Sequence, residues 1–296
     1  MTKFRVAATG HSVNYLPEYV AASNGFFEAE GLQVEAVVPN PWDLVLKELS
    51  DGTSHAALGG IWVPSMYKDR GKQLVPFAKV SARCPLAIVG RKKQEFAFND
   101  LRDAVMLVPG GNGASPGMFL ELLLAEHGVD KNSVKFVQNL SGSMLAELFV
   151  GGLGDYILLD PVTALRVERQ AAAHIVAPLA KMGGAIPWSV YYSEAGSPGD
   201  DAELQKKFVR ALNRGIEWVI ATPAGDMRDL LAGLFPKADV DDVIRLVNDF
   251  RQWGMWDSAT IEVASYDRWQ QGTVAAYLID EPIPYSSLVN AAITRV

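Results

Sequence analysis

The residues best equipped for chemistry fall in short loops that follow apolar runs. His11, Ser12, Asn14 and Tyr15 lie between the run Phe4–Thr9 and a helical pattern that begins at Pro17. An imidazole, hydroxyls and an amide grouped at a helix start can clamp a polar or anionic group, helped by free backbone N–H groups. Ser and Asn at such a position also serve as plain helix caps. A second loop, Gly110-Gly111-Asn112-Gly113-Ala114-Ser115, precedes another helix. It lacks the Gly-Lys-Ser/Thr ending of a P-loop and the Gly-x-Gly-x-x-Gly spacing of a dinucleotide fold. Its glycines leave backbone N–H groups open to a sulfonate, phosphate or carboxylate, so Asn112, Gly113 and Ser115 are candidates for ligand contact.

Trp42, Trp62 and Trp188 stand near expected strand ends, Trp62 in the loop opened by Gly59 and Gly60. An aromatic wall suits a flat or apolar ligand, and a core tryptophan is the competing explanation. Asp160 follows the run Tyr156–Leu159 and precedes Pro161; it can accept from a ligand amine or hydroxyl, or cap the next helix.

Catalytic sets are harder to find. The single cysteine, Cys84, excludes an internal disulfide and a cysteine-rich zinc site, and a solitary cysteine is most often a small buried apolar residue. The four histidines, His11, His55, His127 and His174, have no paired helical spacing, so no metal and no cofactor are expected. No Gly-x-Ser-x-Gly elbow is present. If the chain is an enzyme, His11 is the acid/base candidate and Cys84 a distant second.

These loops must be held by elements, and the pattern supplies them. Strands are expected at Phe4–Thr9, Leu32–Val38, His55–Leu58 and Gln73–Ser81, with helices at Pro17–Glu30, Trp42–Ser50 and Ile61–Asp69. A second array has strands at Leu86–Gly90, Ala104–Val108, Val134–Val137 and Asp155–Leu159, with helices at Met118–His127, Ser143–Val150 and Pro161–Arg169. Alternation at this interval marks βαβ units and a largely parallel sheet, here twice over. From Asp200 onward the pattern is nearly all helical. In open α/β sheets ligands sit outside the carboxyl ends of the strands, where the loops above fall.

The chain has 296 residues, 49% hydrophobic and 21% charged, with 27 basic and 34 acidic side chains and a net charge of −7. That composition excludes a disordered or fibrous protein, and the acidity argues against a nucleic-acid partner. No run approaches 18 uninterrupted apolar residues, so no membrane span is expected. The sequence starts directly at a strand with no export signal before it. The expected location is cytoplasmic if Met1 is the encoded start, and periplasmic if a leader has been removed.

The segment Tyr19-Val20-Ala21-Ala22-Ser23-Asn24-Gly25-Phe26-Phe27-Glu28-Ala29-Glu30-Gly31-Leu32 resembles the opening helix of the NMT1/THI5-like substrate-binding proteins. Those serve ABC transporters for sulfonates, taurine, nitrate and pyrimidine precursors. Gly111–Gly128 is similar to their glycine/serine loop and helix, and Leu148-Phe149-Val150-Gly151-Gly152-Leu153-Gly154-Asp155-Tyr156 to a later segment; the Trp218 helix and the Pro282–Val289 tail fit as well. The resemblance implies an α/β type II periplasmic-binding-protein fold. Two α/β lobes would enclose a ligand cleft that closes by hinge motion, with the helical C-terminal region packed on lobe one. Lobe one would comprise 1–85 and 190–296, and lobe two 86–189, with hinge strands near Arg83–Val89 and Trp188–Ser193. The implied function is capture of a small organic ligand, anionic or aromatic, for an ABC permease. The alternative is a cytosolic enzyme on the same scaffold, a decarboxylase, hydrolase or lyase acting on a small organic acid. The fold's cytosolic enzymes rely on a cysteine-rich motif or on a cysteine in the first loop, and neither is matched here.

Overall fold

The computed structural model describes residues 1–110, 113–138 and 140–296. Its strands are β1 (Thr2–Ala8), β2 (Leu32–Val37), β3 (Ala56–Gly59), β4 (Leu74–Ser81), β5 (Ala87–Gly90), β6 (Val105–Leu107), β7 (Lys135–Val137), β8 (Tyr156–Leu159), β9 (His174–Pro178) and β10 (Ser189–Glu194). The helices of eight or more residues are α1 (Leu16–Ser23), α2 (Ser115–Glu126), α3 (Gly142–Val150), α4 (Pro161–Gln170), α5 (Ala202–Ala221), α6 (Val240–Trp253) and α7 (Val263–Ala275). The strands form two five-stranded sheets, ordered β2-β1-β3-β10-β4 and β7-β6-β8-β5-β9.

Both sheets follow one plan. In each, four strands run parallel and a fifth is inserted antiparallel between two of them, β10 between β3 and β4 and β5 between β8 and β9. The inserted strands make the sheets mixed, where the alternation of strands and helices predicts a largely parallel arrangement. Central strands such as β3 (Ala-Ala-Leu-Gly) and β5 (Ala-Ile-Val-Gly) are buried throughout, as helices on both faces require of continuous apolar runs. The edge strand β2 exposes Gln33 and Glu35, which blunts unwanted pairing.

The chain divides into two compact units, 1–82 with 185–227 and 250–296, and 83–184 with 228–249. The helical region after Asp201 is therefore shared. Residues 228–249 join the second unit, where Asp242 of α6 accepts from Arg169 of α4, while the remainder belongs to the first. In the first unit Phe208 of α5 stacks on Phe4 and Phe27 at centroid distances of 4.9 and 5.1 Å, which ties the long helix to β1 and to the start of the fold. The second core is built from Leu107, Leu145, Phe149, Ile157, Ala164 and Val167, between the sheet and helices α3 and α4.

Three local differences from the sequence reading have simple causes. The helix expected over Pro17–Glu30 is broken: α1 ends at Ser23, Gly25 turns left-handed at φ 71°, and a short helix Phe26–Ala29 follows. The helix expected over Trp42–Ser50 begins as a tighter 3-10 turn, Trp42–Leu44. Strand β9, which no pattern announced, follows an alanine run and ends in proline. It lies at a sheet edge, where a weak alternation suffices.

Candidate functional site

Register places one set of polar groups along a single edge of the first sheet. β10 pairs Ser189 with Ser81 and Val190 with Gly59, and β1 pairs Ala8 with Leu58. The carboxyl ends of β1, β3 and β4 and the start of β10 therefore coincide, and the loop Thr9–Tyr15 runs over them. Ser12 begins the 3-10 turn Val13–Tyr15 without capping it. Its Oγ donates instead to Asn14 Oδ1 at 2.5 Å, and its N–H donates to Tyr19 Oη at 3.2 Å.

Asn14 is the anchor of this loop. Its Nδ2 donates to Ser81 Oγ at 2.7 Å, while its backbone carbonyl accepts from Trp256 Nε1 at 2.9 Å and from Ser81 Oγ at 3.2 Å. Buried polar groups need such partners, and here they join the loop after β1 to β4 and to a loop 242 residues away in sequence. Tyr15 is buried with its hydroxyl held by Ser189 Oγ at 3.4 Å and by Thr9, and burial pushes its phenol pKa up. His11 is exposed and stacks on the Tyr19 ring at 4.7 Å. Behind the loop, Glu18 of α1 is 2% exposed and accepts from Tyr191 Oη at 2.6 Å; burial pushes its carboxyl up to about 7.

The aromatic candidates of this unit are half-buried. Trp62 opens the short helix Trp62–Tyr67 after Gly60, and Trp188 precedes Ser189 with its ring 6.1 Å from Trp269. Trp42 follows β2 after the turn Val38–Pro41. Gly59 has an ordinary backbone, so its lack of a side chain serves space: a Cβ there would lie 3.1 Å from Thr9 Cγ2 and 3.5 Å from the Tyr192 hydroxyl.

In the second unit the carboxyl ends of β6, β7 and β8 each lead toward a helix start. Gly113 takes φ 95°, and Ser115 is the first residue of α2, whose flanking Ala114 offers no side-chain cap. Asn112, with Gly111, lies outside the described residues. Asp160 is a helix cap: its Oδ1 accepts from Thr163 N at 3.0 Å. Cys84 is fully buried and its thiol pKa is pushed well up, so it packs as a small apolar side chain and offers no thiolate. Among the described residues no group of His, Cys, Asp and Glu is arranged to hold a metal, and no helix is long and apolar enough to cross a membrane.

The NMT1/THI5-like family model matches residues 12–225. The chain belongs to the NMT1/THI5-like family. A relative, YtlA of Bacillus subtilis (strain 168), carries the name of a binding protein and is 26% identical over 100% of this chain and 90% of its own. Two solved structures share the fold at low identity. The periplasmic aliphatic sulphonate binding protein SsuA from Escherichia coli superposes with a TM-score of 0.76 at 13% identity, covering 100% of both chains. The desulfurization enzyme DszB superposes with a TM-score of 0.68 at 14% identity, covering 100% of this chain and 98% of its own.

Within this NMT1/THI5-like chain, structure adds residues that the sequence did not mark. Ser81, Ser189 and Trp256 support the first loop from distant positions, and Glu18 and Tyr191 form a buried pair beneath it. An acidic residue on the otherwise apolar face of α1 is the one local signal that pointed there.

Proposed function

We propose that the chain is a solute-binding protein that captures a small organic ligand and delivers it to an ABC permease outside the cytoplasmic membrane. The full-length match to a relative named as a binding protein carries this reading. In support, the first unit presents an edge of hydroxyl, amide and aromatic groups fixed by buried hydrogen bonds, and Cys84 is inert. We take His11, Ser12, Tyr15, Gly60, Trp62 and Trp188, with Trp42, as ligand-contacting groups of the first unit, and Asn112, Gly113, Ser115 and Asp160 as those of the second. Asn14 acts by fixing the loop. An anionic or aromatic ligand suits this set, with backbone N–H groups for the anion and tryptophan for the ring.

Thermal-shift and calorimetric titration with an alkanesulfonate, an aromatic carboxylate and a pyrimidine tests the reading. A ligand present at about 100 times its Kd should stabilise the fold by about 2.7 kcal/mol. Chemical conversion of whichever compound binds would replace this reading with the enzymatic one, which the fold likeness to DszB keeps in view. His11→Ala then separates the two: a binder loses affinity, and an enzyme loses turnover above all.

A further inference from the structure

Glu18 occupies an unusual place for a carboxylate. It sits on α1 directly behind the candidate loop, almost wholly buried, in a nest of phenols. Tyr191 of β10 donates to it, and Tyr15, just before the helix, and Tyr19 on it lie close enough to feel its charge. Among the described residues no basic group is paired with it. Helix α5 packs against α1 through Gly215, and there Arg210 is paired with Glu30 while Arg214 lies over the Phe26 ring. Lys79 of β4 is bonded to Asp257. Burial raises the carboxyl, and the Tyr191 bond works against that rise.

The same helix holds the loop. Tyr19, the next residue, accepts from the Ser12 N–H and carries the His11 ring, and Tyr15 ends the loop against Ser189. An anion left in this nest has no counter-charge and gains most by reaching water. It can do so only if the first turns of α1 shift, and the loop is bonded to those turns.

We propose that Glu18 is a proton-linked latch for the site loop: its neutral carboxyl holds α1 and residues 9–15 in the arrangement seen, and its ionisation releases them. The latch belongs to the unliganded chain, so its test needs no ligand and its failure would leave the binding reading untouched.

The test is amide hydrogen exchange across residues 9–15 of the full chain between pH 5.5 and 8.5, corrected for intrinsic exchange, with the Ser12 amide as reporter. The wild-type protein should lose protection at least fivefold around a midpoint near pH 7. Glu18→Gln, which still accepts from Tyr191, should remain protected throughout. Tyr191→Phe removes the donor that favours the anion, so its midpoint should move to higher pH. His11→Ala should keep the wild-type midpoint. Equal profiles for wild type and Glu18→Gln would overturn the latch. So would loss of the transition in His11→Ala, because the imidazole would then be the titrating group. Should Glu18→Gln fail to fold, the Tyr191→Phe midpoint decides: an unchanged or lowered value rejects the proposal.

Discussion

At the scale of single residues, Asn14 and Glu18 show how much of this site is held from behind. Asn14→Ala removes the amide that donates to Ser81 and leaves a buried hydroxyl with weaker satisfaction, while the backbone carbonyl still accepts from Trp256. A destabilisation of about 1–3 kcal/mol is expected, read from urea unfolding at fixed pH. Glu18 acts through protons. Its folded pKa of about 7 lies above the unfolded value, so the native state keeps the proton longer. Its contribution is complete below the unfolded pKa near 4.3, declines as pH rises toward 7, and is lost above; the total is on the order of 3 kcal/mol. His55 works the other way, since burial holds its pKa down and its contribution is lost as pH falls. Subtracting the Glu18→Gln unfolding free energy from the wild-type value at pH 5, 6, 7 and 8 isolates the carboxyl. A flat difference across that series would show that it does not titrate in this window.

At the scale of elements, close approach and capping decide which positions tolerate change. Helix α5 crosses α1 at Gly215, where an added Cβ would lie 2.3 Å from the Pro17 carbonyl oxygen and 3.1 Å from Ala21 Cβ. Gly215→Ala gains about 1 kcal/mol of helix propensity and forces the two helices apart. The net result should be a loss of about 1–3 kcal/mol, because the obstacle is backbone, visible as a lowered Tm. Asp160 offers the opposite case. Replacing it with Ala should cost about 1 kcal/mol through the lost cap on α4. Calorimetry on the same variant shows whether ligand affinity falls as well. A third element-level contact joins β4 to the segment Met255–Ala259: Lys79 is 1% exposed, and its Nζ donates to Asp257 at 2.5 Å and to the Ser258 carbonyl at 2.8 Å. Asp257→Asn removes the nearer of two carboxylates, with Glu262, that act on the buried ammonium; because Asp257 is half exposed, the loss should be about 1–3 kcal/mol in denaturant titration, with Lys79→Met costing less.

At the scale of the whole molecule, connectivity constrains how the protein can be cut. Three chain segments build the first unit and two build the second, and β10 lies between β3 and β4 in the first sheet. A fragment ending at Gly184 would lack that inner strand together with α5, whose Phe208 packs on Phe4 and Phe27. The fragment should therefore fail to give cooperative unfolding by circular dichroism, although it contains nine of the ten strands. A cooperative transition from it would show that the first sheet closes without β10. The rule behind this is general: a central strand supplied late in the chain makes the early half dependent on the late half.

The sequence alone determined most of the order of elements, β9 excepted, together with the family and the loops at the strand ends, because hydrophobic period, turn residues and glycine placement are local and leave a trace every few residues. It marked His11, Ser12, Asn14 and Tyr15 on that basis. Tertiary structure decided which of those side chains are anchors. Asn14 is bonded to Ser81 and Trp256, partners 67 and 242 positions away, and no local pattern encodes a hydrogen bond of that span. It also showed Asp160 capping α4 and Cys84 buried, and it split the helical region after Asp201 between the two units. Antiparallel insertion of β5 and β10 was equally hidden, since a short apolar run reads the same in either direction. Burial made Glu18 unusual: in the sequence it is one acidic residue among many, and only the tertiary packing removes it from water and brings Tyr191 to it.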